Sequence, residues 1–363
     1  MHIWGVMRIV RKIGLFCAVL IASQASAQEL APLFANSVPL EVTIEAPLTT
    51  LMTERPDEEY LEGTFSYTGA AGTVQNFDLK IRTRGNFRRM ETTCDFAPIR
   101  LNFKKKQVKD TEFDGQDKLK LVTHCQNSVP YNEQLVLREY LAYRIFQVLT
   151  DKSFSVRLLR INYVDTEDAD PMTKYGFVIE DNDDVAKRVD MKSLNNGDIT
   201  HAELDPQQEN LVNIFQFMIG NTDYSLIKGV PGEECCHNSE LLSATGEAAY
   251  TPLPYDFDFA GLVNASYAQV NPQFNLRSVR QRLYRGICPN NDLVPETVQH
   301  FLDNREAIYA IIDETTMLSR RSRGDVTKYL DGFFKDISNP KSVNSRFIAR
   351  CNETVESLNE QTQ

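Results

Sequence analysis

The chain has 363 residues, of which 50 are Asp or Glu and 39 are Lys or Arg, so its formal net charge at pH 7 is −11. This acidic balance argues against a general binder of nucleic acids or anionic membranes, because both partners attract positive surfaces. The length exceeds the usual domain size of about 100–200 residues, so one large two-lobed unit and two domains are both open.

The N-terminal segment has the pattern of a secretory signal. Three basic residues precede the apolar run 13–22, and the small residues Ala25, Ser26 and Ala27 come directly before a predicted cleavage at Gln28. The apolar run is shorter than the ~20 residues that a membrane-spanning helix needs. We therefore expect residues 1–27 to be a signal peptide, and the mature chain to be periplasmic or extracellular with no integral membrane segment.

Cysteine usage agrees with export. Besides Cys17 in the signal segment, the chain has six cysteines, namely Cys94, Cys125, Cys235, Cys236, Cys288 and Cys351. An even number in an exported chain predicts up to three disulfides whose pairing the sequence does not fix. Because adjacent cysteines bond poorly to each other, Cys235 and Cys236 are expected to pair elsewhere or to leave one thiol free.

The first half of the chain is predicted to be β-rich with one helix. Alternating apolar and polar residues predict strands at 40–44, 61–67, 77–84, 99–103, 118–122, 156–163 and 175–180. Residues 132–149 have the apolar face of a helix, with Arg138, Glu139 and Arg144 off that face.

The second half is predicted to be mainly helical. Leu211, Ile214, Phe215 and Met218 form one helical stripe, and a strand-like segment covers 250–261. Further helices are expected near 295–314 and 325–337, and a last one begins at Pro340 after the N-cap Asn339. The change near residue 190 predicts a β-rich N-terminal lobe at 28–190 and a helical C-terminal lobe at 191–363 that carries the active site.

A basic turn follows the third predicted strand. Arg82, Arg84 and Asn86 surround Gly85, and this combination suits phosphate binding because Arg makes bidentate contacts and Gly permits a tight anion-binding turn. An ordinary β-turn with exposed arginines is the alternative.

Two lysines precede the first predicted helix. Lys118 or Lys120 could pair with Glu133 or Glu139 of that helix, as the strand lysine and helix glutamate of kinases do when they orient a nucleotide phosphate. The alternative is that both lysines simply face water.

Acids and amides cluster at the ends of later elements. Asn221 and Asp223 follow the helical stripe, Asn238 follows His237, and Asp256 and Asp258 would point to one side of an extended segment. Mg²⁺ bound to a nucleotide takes only one or two protein carboxylates, so this set could hold such an ion. Turn capping is the alternative, since Asn and Asp are common turn residues.

Taken in order, these segments resemble the CotH-type protein kinases, the spore-coat and secreted relatives of the kinase superfamily. The resemblance covers about residues 75–265. It depends on six short motifs: Arg82 to Asn86, Lys118 to Leu121, Tyr175 to Glu180, Gly220 to Asp223, Asn238, and Pro254 to Asp258.

The resemblance implies an α+β, two-lobed atypical protein-kinase-like fold and a metal-dependent ATP-using phosphotransferase with Mg²⁺ or Mn²⁺ as cofactor. It implies the following roles: Asp223 and Asn221 catalytic; Arg82, Arg84, Asn86, Lys118, Lys120 and Glu180 nucleotide-binding; Asn238, Asp256 and Asp258 metal-binding. The acceptor, a protein or a small molecule, stays open. The alternative is a catalytically inactive kinase-like binding protein of the envelope or the medium.

Overall fold

The computed structural model describes residues 1–2, 30–69, 72–168, 170–244 and 249–353. The predicted signal peptide therefore falls almost entirely outside the described residues. Within these residues the strands are β1 Leu40–Ala46, β2 Leu61–Thr68, β3 Val74–Thr83, β4 Ile99–Phe103, β5 Lys118–Val122, β6 Val156–Asp165, β7 Met172–Ile179, β8 Met191–Leu194, β9 Ser239–Ala244 and β10 Tyr250–Pro254.

The α-helices of the described part of the chain are α1 Leu48–Glu54, α2 Lys105–Val108, α3 Tyr131–Leu149, α4 Asn182–Arg188, α5 Pro206–Ile219, α6 Val294–Asp303, α7 Arg305–Glu314, α8 Arg320–Ile337 and α9 Pro340–Arg346. Short 3-10 helices cover Pro32–Phe34, His201–Glu203, Cys288–Leu293 and Ile348–Arg350. Within the described ranges, no helix combines the length and the apolar character that crossing a membrane requires.

The first seven strands close into a β-barrel in the order β1-β2-β3-β4-β5-β7-β6. Closure comes from β1, which pairs antiparallel with β2 and parallel with β6, so that Val42 lies opposite both Tyr67 and Ile161. The predicted two-lobed kinase-like fold with a helical C-terminal lobe is therefore wrong. Alternation in the sequence indicates which face of a strand is buried, but the pairing of β1 with β6 joins segments more than a hundred residues apart and has no local signal.

Large side chains fill the barrel. Phe65 on β2 packs against Phe77, Phe103 and Phe113 with ring centroids 5.0–6.4 Å apart. In β1 the side chains alternate between buried and less buried positions, as the sequence predicts. Such offset and edge-to-face ring contacts add stability beyond the burial of apolar area.

A second core lies outside the barrel, between its β5, β6 and β7 strands and the helices that follow residue 190. Helix α3 lies at its centre and is buried on nearly all sides, including Arg138 and Glu139, which are 1% and 2% exposed. The expectation that these two charges lie off the buried face is wrong. Arg138 is accommodated because its guanidinium donates to Ser322 and Asp325 of α8, each at 2.8 Å.

Most predicted elements are confirmed, with two differences in the second half. The helix expected near 295–314 is two helices that meet at Asn304. The strand-like segment 250–261 is extended only to Pro254, after which Asp256 takes a left-handed backbone conformation with φ 56°. The N-cap at Asn339 is confirmed, since its side chain accepts a hydrogen bond from Lys341 N.

Three disulfides join Cys94 to Cys125, Cys288 to Cys351, and Cys235 to Cys236. The predicted number is confirmed. The expectation that the adjacent cysteines pair elsewhere is wrong, because Cys235 and Cys236 are bonded to each other.

Candidate functional site

The candidate site forms where three separate segments meet: the turn after β3, the middle of α3, and the turn after β10. The turn after β3 begins with Arg84, whose backbone N donates to Pro98 O at 2.9 Å. Gly85 follows with φ 79°, a left-handed conformation that glycine adopts without strain. This turn delivers Arg84 and Arg88 to the same region.

Arg88 is the centre of a buried ion-pair network. Its guanidinium lies 3.4 Å from Glu139 Oε2 of α3, 3.2 Å from Asp258 Oδ2, and 3.8 Å from Asp256 Oδ1. Tyr267 donates its hydroxyl to Asp258 Oδ2 at 3.1 Å. The sequence does not mark Arg88 or Tyr267 as members of the candidate site. For Arg88 the only signal is its place in a basic turn, and for Tyr267 there is none.

The two acids after β10 are brought together in a different way from the one predicted. Because Asp256 has φ 56°, the segment is not extended, and the acids do not share one face of a strand. Instead Asp256 N donates to the Tyr143 hydroxyl at 2.9 Å, and Arg88 contacts both carboxylates. Asp256 Oδ1 is buried and accepts no hydrogen bond from the described residues.

Two further cations, Arg84 and Lys120, lie beside these acids. Arg84 and Lys120 line a narrow slot together with Asp256, Glu139 and Tyr143. In the described part of the chain, neither side chain forms an ion pair within 4 Å. Lys120 Nζ instead lies 5.2 Å from the centre of the Tyr255 ring. Desolvation, together with the nearby charge of Arg84, lowers the pKa of Lys120. The free volume of the slot is about 10 Å³, room for about one water molecule, so side chains would have to move before a larger anion could enter.

The buried acids of the network are hard to ionise. Burial raises the pKa of Glu139 to about 7. Burial and the charge of Asp256 raise the pKa of Asp258 well above its usual range. A cation bound here would favour the ionised carboxylates, so its binding would release protons.

Asp223 has its own set of partners. Helix α5 ends at Gly220, and in the turn that follows Asn221 Oδ1 accepts from Asp223 N at 2.9 Å. His237 Nε2 lies 2.9 Å from Asp223 Oδ1. Asn238 Nδ2 donates to Asp223 Oδ2 at 3.1 Å and to its backbone O at 2.6 Å. The hydrogen bond to Asp223 raises the pKa of His237.

A backbone contact connects Asp223 to the slot. Tyr255 N donates to Asn238 O at 3.1 Å, so the residue that holds Asp223 also holds the chain directly before Asp256. The structure therefore brings the predicted residues Arg84, Lys120, Asn221, Asp223, Asn238, Asp256 and Asp258 into two adjoining groups.

The other predicted site residues lie outside the slot. Arg82 donates to backbone O atoms of Asp57 and Thr83, Asn86 is exposed with Nδ2 3.5 Å from Glu233 Oε1, and Lys118 is exposed. Glu180 is buried, and its carboxylate binds Arg188 and Ser155 N.

The predicted pairing of Lys118 or Lys120 with a glutamate of α3 does not form among the described residues. Glu139 binds Arg88, whereas Glu133 lies 3.7 Å from Nζ of a different strand lysine, Lys174 of β7, and accepts from Tyr175 N. The cation that contacts Glu139 is therefore an arginine on a turn.

The carboxylates of this site fit a cation whose coordination is completed by a second bound molecule. Among the described residues, no three His, Cys, Asp or Glu side chains converge closely enough to hold a metal by themselves. Asp256 Oδ1 is nevertheless a buried acceptor without a donor, and Asp258 lies next to it. Two carboxylates suit Mg²⁺ or Mn²⁺ only when phosphate oxygens and water complete the coordination.

Comparison of the chain with models of known protein families and with curated proteins gives no match.

Proposed function

We propose that the chain is a metal-dependent phosphotransferase that takes a phosphoryl group from ATP, related in its site residues to CotH-type kinases. This function depends on the residues of the slot and not on a two-lobed fold. The observation that supports it is the slot itself: among the described residues, Arg84 and Lys120 form no ion pair within 4 Å, and Asp256 Oδ1 accepts no hydrogen bond. A phosphate chain with its bound divalent cation would satisfy both.

The slot residues would take these roles. Arg84 and Lys120 would bind phosphate oxygens. Asp256 and Asp258 would hold Mg²⁺ or Mn²⁺. Asn238 would join them through Oδ1, because its Nδ2 is engaged by Asp223. The cation would neutralise charge on the phosphates during transfer.

Asp223 would orient the acceptor hydroxyl and receive its proton. Both of its carboxylate oxygens are fixed by neighbours, His237 on Oδ1 and Asn238 on Oδ2. Fixed orientation is what positioning of a nucleophile requires. Asn221 would be a positioning residue, because its side chain accepts a hydrogen bond from the Asp223 backbone N and does not contact the carboxylate.

We also propose that the protein is exported. The N-terminal pattern supports this, and so do the three disulfides, because disulfides persist mainly in oxidising compartments.

A second candidate, a binding protein without activity, is favoured by one feature. Arg88 already pairs with the acids near the slot, and Asp223 already has two donors, so these charges are balanced within the protein. Charges of this kind can be retained for structure alone.

ATP binding and ATP turnover, measured separately with Mg²⁺ or Mn²⁺, distinguish the candidates. Asp256→Asn is expected to lose both, whereas Asp223→Asn is expected to keep binding and to lose at least a hundredfold in turnover. The exposed acid Asp292 supplies the control, because Asp292→Asn should change neither. If the wild-type protein does not bind ATP in the presence of either Mg²⁺ or Mn²⁺, the phosphotransferase proposal is contradicted and the binding protein is favoured.

A further inference from the structure

A large open cavity of about 1010 Å³ adjoins Asp223 and His237. Its walls come from the loop 222–231, from the segment 271–285, and from the C-terminal residues Arg350 and Asn352. The volume is at the upper end of the range of small-molecule sites, about 300–1,000 Å³. Arg84 and Lys120 are not among the residues that line it, so it is separate from the phosphate slot.

The charge of this cavity is opposite to that of the whole chain. Three basic residues, Lys228, Arg285 and Arg350, line it, and Asp223 is the one acidic residue among the lining residues that the structure describes. The protein as a whole carries a net charge of −11. A local excess of positive charge on an acidic protein concentrates anions at that place.

Two of the three cations are available to a ligand. Lys228 and Arg350 are exposed, and neither has an ion-pair partner in the described part of the chain. Arg285 is more constrained, because it donates to the backbone O atoms of Thr222 and Tyr224 and lies over the rings of Tyr224 and Phe274.

Two histidines held by carboxylates line the same cavity. His237 is held by Asp223, and His201 Nδ1 lies 2.5 Å from Oε1 of Glu209. Glu209 is fully buried, and its second oxygen accepts from Asn290 Nδ2 at 2.9 Å. The Glu209 carboxylate accepts a hydrogen bond from Nδ1–H of His201, so in the neutral ring Nε2 is the acceptor that can receive a hydrogen bond from a hydroxyl group.

A disulfide fixes the C-terminal wall. Cys351, between the lining residues Arg350 and Asn352, is bonded to Cys288. Asn352 also donates through Nδ2 to Arg285 O at 2.9 Å. The cations Arg350 and Arg285 are thereby held on one continuous wall.

We propose that this cavity is the acceptor site, and that the acceptor is a small organic anion that carries hydroxyl groups. The assignment rests on the phosphotransferase function proposed above. Lys228 and Arg350 bind the anionic group, and His201 Nε2 accepts a hydrogen bond from one hydroxyl. A second hydroxyl reaches Asp223.

The transfer step involves only the acceptor, ATP and Asp223. The acceptor oxygen forms a bond to the γ-phosphorus of ATP, and the bond from that phosphorus to the bridging oxygen breaks. The bonding electrons leave with ADP, and the hydroxyl proton passes to the Asp223 carboxylate.

Binding of three matched probes to the full mature chain tests the site in the absence of nucleotide. D-Gluconate and D-glucose 6-phosphate carry both hydroxyls and a negative charge, D-glucose lacks the charge, and inorganic phosphate lacks the carbon-bound hydroxyls. By calorimetry at constant ionic strength, at least one of the two anions is expected to bind at least tenfold more tightly than either D-glucose or inorganic phosphate. Equal affinities, or binding by neither anion, would overturn the proposal.

Paired variants locate the binding. The double variant Lys228→Gln with Arg350→Gln is expected to weaken anion binding at least tenfold. The control Lys106→Gln with Lys328→Gln removes the same charge from exposed positions outside the cavity and should bind as the wild type does. Equal weakening in both double variants would show that the anion binds elsewhere.

The acceptor assignment and the ATP-dependent function can fail separately. ATP binding without anion binding overturns the acceptor site alone. Anion binding without ATP binding overturns the phosphotransferase and leaves an anion-binding cavity.

Discussion

Arg88 Nε lies 3.2 Å from Asp258 Oδ2, and this contact joins the turn after β3 to the turn after β10. Both side chains are less than a tenth exposed. Strands β8, β9 and β10 form a separate three-stranded sheet in the order β10-β9-β8. The contact therefore connects the barrel to this sheet through the candidate site, so the stability of the fold and the geometry of the site depend on the same residues.

Arg88→Gln should destabilise the protein strongly. The change leaves Glu139 and Asp258 buried without their cation, and breaking a buried pair in this way costs about 3–5 kcal/mol. Urea unfolding at pH 8, where the acids are more fully ionised, measures the loss. Arg89→Gln is the matched control, because Arg89 pairs with the more exposed Asp57, and its loss should stay under about 1 kcal/mol. Equal effects of the two changes would show that the network is not buried in solution.

Glu139 should make stability depend on pH. Because burial raises its pKa from 4.5 to about 7, the folded state holds this proton more tightly than the unfolded chain does. The contribution of Glu139 to stability is therefore fully present below about pH 4.5 and is lost as pH rises through 7, with a slope of up to ~1.4 kcal/mol per pH unit. Glu139→Gln should flatten that decline when urea unfolding is measured from pH 4.5 to 8. A variant with the same slope as the wild type would contradict this assignment.

His237 should titrate above its ordinary range because it is hydrogen-bonded to Asp223. The contribution of this pair to stability is present below the ordinary pKa of His, 6.5, and is lost as pH rises through the raised value. Asp223→Asn should lower the pKa of His237, which NMR titration of the imidazole signals measures. His300, which contacts the Leu149 carbonyl instead, serves as the internal reference. An unchanged His237 titration in Asp223→Asn would show that the two side chains do not interact.

The disulfide Cys94–Cys125 should stabilise the turn that carries Arg88. It closes a loop with a sequence separation of 31 and joins the end of that turn to the chain after β5. Loss of a native disulfide of this kind costs roughly 2–5 kcal/mol. The double variant Cys94→Ser with Cys125→Ser should show this loss in denaturant unfolding. A loss below about 1 kcal/mol would mean that the turn is held by the ion pairs alone.

The sequence predicts the local elements well because their signals are local. The alternation in Leu40–Ala46 and the cap at Asn339 each depend on neighbouring residues, and the structure confirms both. The closure of the barrel through β1 and β6 depends on residues far apart in the chain, so periodicity does not reveal it.

The site is predicted in part for the same reason. Asp223, Asn238, Asp256 and Asp258 stand at the ends of elements, where their residue types are informative. Arg88 and Tyr267 become site residues only through tertiary contacts. The left-handed conformation of Asp256 likewise has no signal in a segment that reads as a continuous strand.

Binding of Mn²⁺, followed by electron paramagnetic resonance with and without a non-hydrolysable ATP analogue, tests whether the site holds a metal–nucleotide complex. We expect Mn²⁺ to bind tightly only when the analogue is present, because Asp256 and Asp258 supply too few ligands alone. Asp256→Asn and Lys120→Gln should each weaken this binding at least tenfold, while Lys118→Gln, which changes an exposed lysine two residues away, should leave it unchanged. Mn²⁺ that stays free in the presence of the analogue, or that binds equally well to all variants, would show that no such complex forms at these residues.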